Sequence, residues 1–193
     1  VPTLEAARTK VVNDDISTTR IYRMWTVPGE NAAESVPLNL ASTVLGGLAS
    51  SRLDEALVRQ DPVAVSVAAF NFTMEDAGVF IVQADVKPGM DPAAVGAKLD
   101  AEVARFISEG PDADELERAK ISTMASVIRG LERVGGFGGK APQLAGGELF
   151  MGDPAHALKQ LRLMADATPA SVTASMKTWL TRPVFNLVFN PGE

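Results

Sequence analysis

The sequence predicts an α+β fold, a mainly antiparallel sheet of four or more strands with helices packed on one of its faces. Three observations predict it. Short runs rich in β-branched and aromatic residues stand near each end of the chain and as a close pair in between. The helical segments between them come in groups, without the one-for-one alternation that builds a doubly wound parallel sheet. One run also carries a continuous apolar side at a period of two, as a strand with one buried face does.

Residues 1–15 are polar and without a sustained period, and Asn13-Asp14-Asp15 favours turns through side-chain to backbone hydrogen bonds. They read as a linker, and 16–193 as the domain. Arg20 to Val27 reads as a strand stopped by Pro28-Gly29. Ala33, Val36, Leu40, Val44 and Leu48 then recur at helical spacing, with Gly46-Gly47 loosening the helix near its end. A short second helix follows from about Ser51 to Gln60, with Leu53, Ala56 and Leu57 inward. Val63 to Phe72 and Val79 to Lys87 form a hairpin, and Phe80, Val82, Ala84 and Val86 share its apolar side. Two long helices open at Asp91-Pro92 and at Asp112, where Glu115 completes a capping box. Two more are expected at Asp153-Pro154 and Thr168-Pro169, and Val184 to Phe189 reads as the final strand.

Composition removes several function classes. The net charge of -6 and the scattered Lys and Arg leave no basic stripe for phosphates, so no nucleic-acid partner is expected. No apolar stretch is long enough for a membrane span. The absence of cysteine excludes disulfides and thiolate chemistry, and suits cytoplasm and periplasm alike. Because the chain opens on Val1, it reads as a piece of a longer protein whose start lies upstream.

The motifs for chemistry are equally sparse. His156 is the only histidine and has no Asp or Glu three or four residues on, so it reads as a surface residue and no metal site is expected. Ser50, Ser51 and Ser66 lack the Gly-x-Ser-x-Gly elbow, and no catalytic residue is expected. The stretch Gly135 to Lys140 fails the register of a phosphate loop, since Val134 stands where its first glycine belongs and Ala141 where Ser or Thr belongs. It reads as a flexible hinge between helices. The carboxylate pairs Glu75-Asp76 and Asp112, Asp114, Glu115 sit where solvated turns and helix caps use them.

Leu45-Gly46-Gly47-Leu48-Ala49-Ser50-Ser51-Arg52-Leu53, followed by Ala56-Leu57-Val58-Arg59 and Ala64-Val65-Ser66-Val67, resembles a segment of the insulinase (pitrilysin) family of zinc peptidases. Glu115-Leu116-Glu117-Arg118-Ala119-Lys120, Leu149 to Pro154 and Ala167-Thr168-Pro169 are similar to later landmarks of that family, so the resemblance runs from about Ile16 to the end. It implies a ferredoxin-like-related half-domain of a metallopeptidase, of the inactive, C-terminal type. In that family the zinc is held by a His-Xaa-Xaa-Glu-His helix and a distal Glu in another domain, and neither motif is present here. The resemblance therefore implies a non-catalytic domain that packs beside a zinc-binding domain, in the same protein or in a partner subunit, and encloses peptide substrate. No cofactor is expected in this chain, and zinc is expected in the full-length parent, as a homo- or heterodimer where the halves are separate chains. Arg59 matches the Arg of the family's substrate-positioning Arg and Tyr pair, while Val65 occupies the position of the Tyr. The alternative is an inactive homologue serving as an assembly subunit, like the core proteins of the cytochrome bc complex. A His-Xaa-Xaa-Glu-His helix immediately upstream would decide between the two.

Overall fold

Phe80, Val82, Ala84 and Val86 are each 3 % exposed or less, and the residues between them are half-buried. This alternation over Ala77–Val86 (β4) marks a strand with helices on one side and an open face on the other. The structure, a computed structural model, describes residues 1–136 and 138–192.

Four further strands complete one sheet: Arg8–Asp14 (β1), Arg20–Pro28 (β2), Ala64–Thr73 (β3) and Phe185–Pro191 (β5). Their spatial order is β1-β5-β2-β4-β3. Every pair is antiparallel except β1 with β5, which is parallel. The α+β class, the mainly antiparallel sheet and the hairpin β3–β4 therefore stand as the sequence predicts.

The linker assigned to residues 1–15 does not. Arg8–Asp14 is the edge strand β1, in register with β5 from Arg8 opposite Phe185 to Asp14 opposite Pro191. Its side chains are almost all exposed, so β1 is held by backbone hydrogen bonds and carries no apolar alternation to betray it.

On the covered face, Ser35–Ser42 (α1) continues as a π-helical turn over Thr43–Gly47, and Arg52–Asp54 (α2) continues likewise over Glu55–Gln60. The wide turn lays Gly46 directly on the backbone of Ala68 and Ala69 in β3. Helix α1 ends there, and Leu48 is extended and not on the helical face. Pro92–Glu109 (α3) starts where Asp91 accepts from the N–H groups of Ala93 and Ala94 at 3.1 and 3.2 Å. Ala113–Leu131 (α4) opens with the capping box expected between Asp112 and Glu115.

Lys140–Met151 (α5) is a helix that the sequence did not announce, because only Gly147 of its twelve residues is buried and it shows no apolar stripe. The preceding glycine stretch, expected as a hinge, includes Phe137, which lies outside the described residues. His156–Asp166 (α6) begins two residues later than Asp153-Pro154 suggested, since Asp153 accepts from Ala155 N in a turn before the helix. Pro169–Trp179 (α7) has Thr168 and Ser171 as reciprocal caps with Pro in its first turn, as expected. The core lies between the sheet and these helices. Trp25 meets Phe80 edge-on at 6.3 Å, with Leu38, Leu40, Leu99, Phe106 and Met176 fully buried around them.

Candidate functional site

Residues directly opposite one another in a sheet share a face, so the pairings define what the uncovered side presents. Phe70 and Phe72 of β3 stand opposite Ile81 and Val79 of β4, which stand opposite Met24 and Thr26 of β2, and Met24 in turn faces Phe185 of β5. This end of the open face is apolar. Phe70 is 41 % exposed and Phe72 59 %, which is unusual for aromatic side chains in a folded domain.

The other end of the same face is polar. Arg20 clasps Asp85 through Nε at 2.5 Å and Nη2 at 3.2 Å, and the Ser66 hydroxyl donates to Asp85 Oδ2 at 2.7 Å. Burial by itself raises the Asp85 carboxyl, but the hydrogen bonds from Arg20 and Ser66 outweigh it and hold the group below the usual carboxylate range. Tyr22 and Phe189 meet edge-on at 6.0 Å between the two ends. The face is amphipathic, with an apolar field beside a fixed ion pair. This arrangement suits contact with another polypeptide.

Arg59 lies near the end of the π-helical segment Glu55–Gln60, which packs against the edge strand β3. Its guanidinium donates through Nε to Asp54 Oδ2 at 2.6 Å and through Nη2 to the Ala49 carbonyl at 2.6 Å, and the side chain is 56 % exposed. Val65 is the extra residue of a β-bulge between Ala64 and Ser66 and is 57 % exposed. Both residues are therefore available at the β3 edge, but the hydrogen bonds of Arg59 run back toward the start of α2.

His156 departs from its surface assignment. Its side chain is only 13 % exposed and lies 3.5 Å from Glu30 Oε1, because α6 turns its first residue inward toward the loop after β2. Glu30 lies 126 positions away, so no local spacing announces the contact. Among the described residues no three His, Cys, Asp or Glu side chains come together as a metal-ion cluster. No described helix is long and apolar enough to cross a membrane.

Residues 1–123 match the family profile of the peptidase M16 inactive domain. No curated protein matches the chain. Among solved structures, a protease from Helicobacter pylori superposes with a TM-score of 0.86 at 21% identity, covering 98% of this chain and 45% of that one. An inactive peptidase domain from Bordetella parapertussis superposes with a TM-score of 0.79 at 24% identity, covering 94% of this chain and 95% of that one. A chain of complex III2 from Candida albicans does so with a TM-score of 0.75 at 13% identity, over 95% of this chain and 45% of that one. This chain thus spans less than half the length of the Helicobacter and Candida chains, and nearly all of the Bordetella domain.

Proposed function

This chain belongs to the peptidase M16 inactive-domain family, and from that membership we propose that it is a non-catalytic, chamber-forming domain of a zinc metallopeptidase. It packs beside a zinc-binding domain, in the same protein or in a partner subunit, and its open sheet face helps to enclose peptide substrate. The observation that carries this reading is the uncovered face itself. Exposed Phe70 and Phe72 continue into Met24, Ile81 and Phe185, an apolar field that a free-standing domain would bury. The zinc belongs to the companion domain, whose ligands would hold the metal and activate water there.

The test compares the 193-residue chain with the longer protein that includes the zinc-binding domain, by metal analysis and peptide cleavage. Stoichiometric zinc and chelator-sensitive cleavage are expected only in the longer protein. Cleavage by this chain alone would overturn the proposal. A zinc-free and inactive longer protein would replace it with an assembly role.

Arg59 is the substrate-side candidate in this reading, with Val65 where a hydrogen-bonding partner would otherwise stand. Arg59→Ala is expected to change stability by less than about 1 kcal/mol, because its pair with Asp54 is exposed. The same change should lower kcat/KM of the assembled peptidase roughly ten-fold, the worth of one charge-assisted hydrogen bond. Unchanged kinetics in the assembled protein would remove Arg59 from the site.

A further inference from the structure

Within the helical layer, on the opposite side of the sheet from its open face, α4, α5, α6 and the loop after β2 line a pocket of about 350 Å³ that is partly open to solvent. That is near the lower end of the range for small-molecule clefts. Most of its wall is apolar, including Val127, Phe150, Leu161 and Met164, and four polar groups converge on it: Glu30, Gln143, His156 and Gln160.

The polar groups have a common character. Gln160 Nε2 lies 3.0 Å from His156 Nε2, which fits an amide N–H donating to a neutral imidazole protonated on Nδ1. Gln143 Nε2 donates to the Gly138 carbonyl at 2.9 Å, and its Oε1 is left buried without a partner among the described residues. Among the described residues Glu30 is the only charged side chain on the wall, and α4 and α5 contribute none. Phe150 adds an aromatic ring that is 53 % exposed.

We infer that this cavity is a binding site for a small organic cation, an amine or amidinium carried on an apolar body. The carboxylate of Glu30 accepts from its N–H groups, and the apolar wall takes the body. This site is separate from the chamber face and does not depend on the peptidase reading.

His156 is the only histidine, so its ring resonances report the site without ambiguity. The experiment follows them in the full chain during titration with benzamidine, with uncharged benzamide and anionic benzoate as isosteric controls. Saturable shifts are expected with benzamidine, and affinity should drop roughly five-fold or more for either control and in Glu30→Gln. No saturable shift, equal binding of benzoate, or unchanged affinity in Glu30→Gln would overturn the inference. If Glu30→Gln does not fold, Phe150→Ala decides in its place: weaker benzamidine binding supports the site, and unchanged binding overturns it.

Discussion

Replacing Gly46 by valine is expected to destabilise the domain by about 3 kcal/mol, at the upper end of what overpacking a core costs. A Cβ at this position would lie 2.7 Å from the Ala68 carbonyl carbon and 2.8 Å from the Ala69 Cβ, and closer still to Ala69 N. The obstacles are strand backbone, so no side-chain rotation relieves them, and the π-helical turn would have to lift off β3. Its neighbour is the control. A Cβ on Gly47 would meet Ser42 and Thr43 at about 3.5 Å, an ordinary contact, and its φ is not positive. Gly47→Ala should therefore fall within about 0.5 kcal/mol of the parent. Urea unfolding of the two variants checks the contrast, and equal effects would show that the turn yields.

Arg52→Ala is expected to lower the unfolding free energy by about 3 kcal/mol. Arg52 donates to both carboxylate oxygens of Glu115 at 2.8 Å, to the Gly110 carbonyl at 3.0 Å and to Glu109 at 3.3 Å, and its guanidinium lies 4.9 Å from the centre of the Phe106 ring. It ties α2 to the turn between α3 and α4. Arg52 and Glu115 are only 14% and 16% exposed, so the alanine variant leaves a carboxylate largely desolvated and without its partner. Arg52→Lys should recover part of the loss, because an ammonium cannot make the bidentate contact.

The same pair sets an acid dependence. Burial by itself raises the Glu115 carboxyl, but hydrogen bonds from Arg52 and from the Asp112 backbone N–H outweigh it and hold the group below its ordinary value. A depressed carboxylate contributes stability above its unfolded value of about 4.3, and the contribution is lost as pH falls through the folded value. The parent should thus lose stability below about pH 4.3 more steeply than Glu115→Gln does. Denaturation midpoints across that range measure the difference.

Elements with a local chemical signature were legible without coordinates. The Asp112–Glu115 and Thr168–Pro169 helix starts, the β3–β4 hairpin and the buried side of β4 all lie where capping chemistry and period-two alternation put them. Features that depend on remote partners were not. Strand β1 is recognised only through β5, more than 170 residues away, because an exposed edge strand needs no apolar pattern. Helix α5 packs mainly against α6 and keeps most of its side chains in water, which erases the stripe that betrays a helix.

For the candidate sites the same division holds. The segments around Arg52 and Arg59 carry a family-like pattern, so their residues could be singled out in advance, whereas the geometry that engages Arg59 with Asp54 and Ala49 could not. The cavity of Glu30, Gln143, His156 and Gln160 joins three distant stretches of chain, and only the pair at helical spacing, His156 and Gln160, is local.

The amino-acid sequence by itself determined the α+β class, the absence of histidine–carboxylate metal spacing and the capped starts of the principal helices. Those properties follow from residue chemistry and short-range periodicity. The tertiary structure alone decided the parallel addition of β1, the seating of Gly46 on β3, the burial of His156 and the amphipathic character of the open face. Each of these depends on which distant segments share the limited surface of one sheet, and packing settles that with no record at local spacing.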